Sequence, residues 1–295
     1  MYRTLVILRQ TFKEAVIQPI YSLVLGVGGA VLLIFAMLPF FTLSADTQMY
    51  KSVALDVILL LVLVVTLFAT SKSVFEEIED RTMLTLMSKP VHKWEVLLGK
   101  YGGIVMASLL AVGILGAITA VGTWWRVPAD HLIRPDSIDD RELRELAGLR
   151  IMYLSGLLPA LVLKWLQIAA LAAVGVALST RVPLVVNLPA VIFIYIAGNL
   201  TRFLYPLTGQ PLPAQILAVL ASTLLPALEL FDLNRLTIFQ KIAVRDFAAD
   251  PTAVSLSTIW GYVALAAGYW AVYSTFALSV GLWMFHHREL GGAEG

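Results

Sequence analysis

Ala15 to Ala45 reads AVIQPIYSLVLGVGGAVLLIFAMLPFFTLSA, 31 residues without one charged side chain. A helix needs about 20 apolar residues to cross roughly 30 Å of hydrocarbon, so this stretch has length to spare. Other uncharged runs follow it: Val57 to Ser71 over 15 residues, Tyr101 to Trp125 over 25, Val182 to Thr201 over 20 and Pro251 to Phe285 over 35. Ile151 to Thr180 is broken only by Lys164. The runs predict six membrane spans, near 20–42, 54–71, 101–123, 156–180, 183–202 and 261–285.

The whole chain agrees with these windows. Of its 295 residues, 59% are apolar and 14% charged, and mean hydropathy is +0.83. A soluble domain carries about 25% charge to cover its water-facing surface, so the composition implies an integral membrane protein. A net charge of +1 leaves no basic face for nucleic acid. Without cysteine there is no disulfide, no thiolate metal site and no thiol nucleophile.

Ala214 to Leu228 is a shorter uncharged run of 15 residues, flanked by Pro211 and Pro213 and interrupted by Pro226. That length and those prolines predict a re-entrant hairpin before the last span, its irregular backbone buried by protein. A full crossing there would give seven spans and put the termini on opposite sides. A cleavable signal peptide is not expected, because the first apolar run is too long for one and follows an 18-residue segment with a polar face. Basic residues do not fix the orientation: with the amino terminus inside, ten fall on each side and Lys164 lies within a span. The flanks of the first span favour an inside amino terminus, with three basic residues before it against Lys51 after it.

Residues 2–18 have the pattern of an amphipathic helix. At 100° per residue Tyr2, Leu5, Leu8, Phe12, Ala15 and Val16 share one face, while Arg3, Gln10, Lys13, Glu14 and Gln18 point away. Such a helix lies in the membrane interface. The expected organisation is therefore an all-α polytopic protein with one transmembrane domain. It comprises an amphipathic segment 1–19, spans one and two in 20–71, a charged loop 72–100, span three at 101–123 and a second charged loop 124–155. Spans four and five follow in 156–202, then the re-entrant segment 203–256, span six in 257–285 and a tail 286–295.

Half of the 41 charges sit in two places, ten in residues 71–100 and eleven in 123–153. The first loop predicts two short helices separated at Ser88-Lys89-Pro90, because proline disfavours helix at the residue before it and suits a helix start. In the second, Arg141 and Glu145 are spaced for an i,i+4 pair on a short solvated helix.

The first loop also carries a family pattern. Glu77-Ile78-Glu79-Asp80-Arg81-Thr82, Leu86, Ser88-Lys89-Pro90-Val91 and Leu97-Leu98-Gly99-Lys100 resemble the loop between the second and third spans of ABC transporter permeases of the type-2 export class. Arg81 stands where that family more often has glycine. The amphipathic start, the six spans and the apolar hairpin before the last span extend the resemblance over nearly the whole chain. Leu230-Phe231-Asp232-Leu233-Asn234 resembles permeases associated with copper-enzyme maturation and gliding-type systems. The resemblance implies a plasma or inner-membrane permease subunit, amino terminus in the cytoplasm, that works as a homodimer or a related heterodimer. Two copies of a soluble ABC ATPase would bind ATP and Mg, and this chain would hold no cofactor. Glu76 to Lys89 would be the coupling helix seated on the ATPase, with Glu76, Glu77, Glu79, Arg81, Thr82, Leu86, Lys89, Pro90, Gly99 and Lys100 as the coupling residues. No phosphate-binding G-x-x-x-x-G-K-[ST] occurs in the chain, since Gly99-Lys100 has Trp94 where the upstream glycine belongs.

Few residues offer chemistry of their own. Lys164 would cost about 2.5–3.5 kcal/mol in the middle of a span. It is read as snorkelling to the interface beside Trp165, with a place on the substrate path as the alternative. Asp56 and Glu229 are acids at span edges with the same two readings. His286 and His287 point about 100° apart on a helix, which suits a membrane-edge cap better than a metal site. Gly99, Gly102, Gly103, Gly113, Gly116 and Ala120 lay a stripe of small residues along span three, available for packing within the bundle or against a second permease. The readings from other classes are an ion-coupled secondary transporter, which would need ionisable groups deep in several spans, and a scaffold that recruits a soluble complex.

Overall fold

A computed structural model describes residues 2–38, 46–80, 92–130, 140–200, 225–234, 238, 242–243 and 254–286. Nearly all of them are helical. The helices are α1 (Tyr2–Ile17), α2 (Pro19–Met37), α3 (Asp46–Thr70), α4 (Lys93–Asp130), α5 (Asp140–Ser155), α6 (Leu157–Ser179), α7 (Leu184–Asn199) and α8 (Leu256–His286). Ile242–Ala243 and Val254–Ser255 add one short parallel bridge.

Five helical segments are long and apolar enough to cross a bilayer: Pro19–Met37, Asp46–Glu79, Lys93–Val127, Leu146–Ser179 and Leu256–His286. The protein is therefore an all-α membrane-embedded bundle. The expected fifth span is shorter than the sequence window implied. α7 has 16 residues, with Pro189 inside it. At 1.5 Å per residue that is about 24 Å, below the roughly 30 Å of hydrocarbon. Pro226 to Asn234 form a tight turn, in which the Leu228 N–H donates to the Pro226 carbonyl at 2.9 Å, and a 3₁₀ turn at Leu228–Phe231, with Leu228 and Phe231 buried. Residues 214–224 of the expected re-entrant hairpin lie outside the described residues.

α6 is the centre of the bundle. Its stretch from Ile168 to Ala173 is wholly buried. A helix apolar on all sides belongs in an interior, and the alanines of Ala169-Ala170-Leu171-Ala172-Ala173 let α3, α4, α7 and α8 all pack around it. At Gly281 of α8 an added Cβ would lie 2.8 Å from the Ala177 Cα, so these two backbones nearly touch. α2 and α8 bury one side only and expose Leu23, Val27, Leu33, Leu265, Val272 and Phe276, the face expected to meet lipid.

The described parts of both charged loops are helical, and the flanking spans run further into them than their uncharged windows. α3 does not stop at residue 71. It continues through a π-helical turn, Ser71–Glu76, and a final α turn, Glu77–Glu79. The described part of the expected coupling helix is thus the end of a span, and the reason is apolar burial: Val74 and Ile78 carry the buried stripe of α3 beyond the last uncharged residue. α4 starts at Lys93, where the Glu95 carboxylate accepts the His92 N–H at 3.0 Å in the manner of a capping box. At its other end α4 runs on to Asp130 and α5 folds against it, with Val127, Leu146 and Tyr153 forming a small separate core. Arg150 lies over the Trp124 ring at 4.5 Å. The short helix expected around Arg141 is present as α5, docked by its apolar side. Arg126 closes the corner by donating to the Phe35, Ala36 and Leu38 carbonyls at 3.0, 3.0 and 2.7 Å, which satisfies the open carbonyls at the end of α2.

α1 packs along the first turns of α4, on a face rotated from the one the helical wheel selected. Thr11 and Ala15 are buried and Ile7, Leu8 and Phe12 half-buried, whereas Tyr2, Leu5 and Val6 stay exposed. One edge of the apolar face meets protein and the other is left for the interface. The contact depends on the small residues of α4. An added Cβ at Gly103 would sit 2.6 Å from the Leu8 carbonyl oxygen, and one at Gly99 would sit 2.8 Å from Ile7 Cβ. These glycines pack within the chain; Gly116 does likewise against Leu161.

Gly103→Ala should lower stability by about 1–3 kcal/mol, because backbone blocks relief of the overlap. Gly113→Ala, where nothing lies within 4 Å, should be neutral or gain up to about 1 kcal/mol from helix propensity. Thermal unfolding of both variants in detergent measures the contrast.

Candidate functional site

The end of α3 and the start of α4 meet on the side of the bundle where α1 lies, referred to below as the near side. Lys100 is 3% exposed there. Its ammonium pairs with Glu77 at 2.6 Å, donates to the Ser73 hydroxyl at 3.2 Å and reaches the Ser73 carbonyl. A buried ammonium needs such partners, and here all its acceptors come from the last turns of α3. The acid pair of the motif is split by this geometry. Glu77 is turned inward and used by Lys100, while Glu79 and Glu76 are exposed. Gly99 belongs to the α1 contact. Arg81, Thr82, Leu86, Lys89 and Pro90 lie outside the described residues.

Two turns deeper, the π-helical segment begins beside a buried amide. Asn187 of α7 is wholly buried, and its Nδ2 lies within donating reach of the Ser179 hydroxyl at 2.8 Å, the Ser71 hydroxyl at 3.2 Å and the Gly175 carbonyl at 3.2 Å. It ties α7 to both α3 and α6 where α3 changes its helical pitch. Asn187 did not enter the sequence reading, although it is a lone interior amide in the run from Val182 to Thr201. Polar residues of that kind join helices in membranes.

Around Tyr101 a further polar set joins α4, α6 and α8. The Tyr101 hydroxyl donates to the Ala169 carbonyl at 3.1 Å, lies 3.2 Å from the Ser274 hydroxyl and receives the Trp270 indole N–H at 3.2 Å. Trp165 donates to the Val105 carbonyl and lies 6.2 Å, centroid to centroid, from Trp270.

Lys164 has a partner that the sequence reading did not name: it is 4% exposed, and its ammonium pairs with Asp56 of α3 at 3.2 Å. The α6 position places it among helices, and the carboxylate 108 residues earlier compensates the charge that a free lysine would have carried to water. Asp56 is far more open, with 57% of its side chain exposed. Glu229 lies in the Leu228–Phe231 turn. No three His, Cys, Asp or Glu side chains among the described residues group closely enough to hold a metal ion.

The unequal burial of the Lys164–Asp56 pair predicts an asymmetry. Asp56→Asn leaves a buried ammonium without its counter-ion, whereas Lys164→Met leaves a carboxylate that water can reach. Asp56→Asn should therefore lower the unfolding temperature more than Lys164→Met does, and the double variant should recover most of the loss. Thermal unfolding of the three variants in one detergent is the measurement.

No protein-family model matches this chain, and no curated protein of similar sequence is found.

Proposed function

We propose that the chain is the membrane-spanning permease subunit of an ATP-driven exporter, coupled through its near-side loop to a separate soluble ATPase. The observation that supports this reading is the Lys100–Glu77–Ser73 junction together with the α1 contact at Gly99 and Gly103. A segment that transmits force from a soluble engine must be rigid at its root. Here the two helices flanking residues 81–91 are joined by an ion pair with a buried lysine and gripped from outside by an interfacial helix. A push on that loop then moves α3 and α4 together, as rigid-body motion of packed helices requires. Glu79 is the exposed acid of the motif left to meet the ATPase, and Glu77 serves the scaffold.

In this reading α7 is the fifth of six crossings, its short length met by local thinning of the bilayer or by the flanking segments. Both termini then lie in the cytoplasm of a plasma or inner membrane. Two such chains, identical or related, enclose the substrate path, and ATP and Mg bind in the partner ATPases. Lys164 and Glu229 remain the candidates for contact with cargo. The Lys164–Asp56 pair is the one feature that favours the second reading, an ion-coupled carrier, because paired ionisable groups inside a span are what such carriers use.

Glu79→Lys should abolish co-purification of an ATPase with the full chain and stop ATP-dependent transport, while the unfolding temperature stays the same. Glu77→Lys should lose both coupling and stability, and adding Lys100→Glu should restore stability. If the wild-type chain purifies from its native membrane without any ATPase, and an ion gradient alone drives uptake into vesicles, the exporter reading fails and the carrier reading stands.

A further inference from the structure

A cleft of about 770 Å³ opens between α1 and the last turns of α3. Its lining is mainly apolar, with Val6, Ile17 and Pro19 exposed on the open side and Ala15 and Ala69 buried beside Thr11 and Ser73. Its rim carries Glu14, Lys72, Glu76 and Asp80, and the Glu77–Lys100 pair lies at one wall. That pair is internally neutral, so the remaining formal charge is three carboxylates against one ammonium. Lys72, Glu76 and Asp80 form no ion pair among the described residues, while Glu14 accepts a hydrogen bond from Gln10 at 2.8 Å and its charge also acts on Lys100.

The depth of the cleft in the membrane can be read from the chain itself. Pro19 opens the first span. Lys72 directly follows the uncharged run Val57 to Ser71, and Lys100 directly precedes the run Tyr101 to Trp125. Three separate helices thus change from charged to apolar at residues that line this one cleft. It lies at the level where hydrocarbon gives way to headgroups, and α1, with Tyr2, Leu5 and Val6 exposed, lies beside it in the same plane.

We infer that this cleft binds a phospholipid of the near-side leaflet whose headgroup carries a primary ammonium next to its phosphate. The ammonium, with three N–H donors, is taken by Glu76 and Asp80 at the end of one helix, and the phosphate is met by Lys72. The glycerol and the first part of the acyl chains rest on the apolar lining around Val6, Ile17 and Pro19. A bare metal ion fits less well, because no three carboxylates among the described residues converge on one point. A basic side chain of a soluble protein would satisfy the acids, but it gives no use for an apolar lining at hydrocarbon depth. The assignment does not depend on the exporter reading, since it concerns only the membrane's own molecules.

The test is native mass spectrometry of the full chain titrated in detergent with phosphatidylethanolamine, phosphatidylcholine or phosphatidylglycerol. The expected result is a single retained phosphatidylethanolamine, bound on the order of tenfold more tightly than either of the others, as a few weak surface charge contacts together supply. Phosphatidylcholine tests the need for N–H donors and phosphatidylglycerol the need for positive charge. The double variant Glu76→Gln/Asp80→Asn should lose the preference while keeping its helical circular dichroism and unfolding temperature. Lys72→Gln should weaken phosphatidylethanolamine and phosphatidylglycerol alike. Equal binding of the three lipids, or a preference that survives the double variant, overturns the inference. So does a short arginine-rich peptide that binds the wild type but not the double variant while phosphatidylethanolamine neither binds nor competes, since the occupant would then be a protein segment.

Discussion

Helices already in hydrocarbon gain little from burying apolar side chains against one another, because lipid tails are equally apolar. What holds this bundle together is close approach of backbones at small residues. α6 supplies it through the alanines between Ile168 and Ala173, and α8 through Gly281 against Ala177. α4 supplies it for α1 through Gly99 and Gly103. Once backbones are that near, dispersion contacts and a small number of buried hydrogen bonds provide the remaining specificity. The Asn187 amide, the Tyr101 hydroxyl and the Arg126 guanidinium each join two or more helices across such contacts.

Charge follows the same packing. The interior admits a lysine only where a partner helix offers acceptors, and both deeply buried ammonium groups discussed above follow that rule. Lys100 is surrounded by Ser73 and Glu77, and Lys164 by Asp56. A third, Lys51, is 2% exposed and satisfied by the Tyr153 carbonyl at 3.2 Å and the face of the Tyr153 ring. In each case the charge ties elements far apart in the chain, so these residues act as bolts between helices. The near-side junction is the place where such a bolt, an interfacial helix and an exposed acidic turn come together.

Much of the fold was legible in advance because span length and amphipathic period are local properties. The apolar runs beginning near residues 20, 54, 101, 156 and 261 all became long helices. The amphipathic start became α1. Helix ends were less legible. Residues 72–80 were expected to start a separate short helix, yet Val74 and Ile78 found apolar neighbours and joined that turn to the end of α3. The wheel for residues 2–18 gave the right helix with a rotated buried face, since it weighs hydrophobicity and cannot see that Thr4, Ile7 and Thr11 meet glycines. The partner of Lys164 was hidden for a related reason: a lysine considered alone gives no sign that a neighbouring helix carries Asp56.

The sequence by itself determined that this is a helical membrane protein, roughly where it crosses, and which segments stay at the surface. Those follow from hydrophobicity and from the requirement that every backbone group in lipid be satisfied within its own helix. Only the tertiary structure decided which charges are spent inside the bundle and which remain to meet something else. Lys100 and its Ser73 acceptor are 27 residues apart, and Lys164 and Asp56 are 108 apart. Electrostatic pairing acts over a few ångströms of space whatever the separation along the chain, so it was settled only when the helices were brought together.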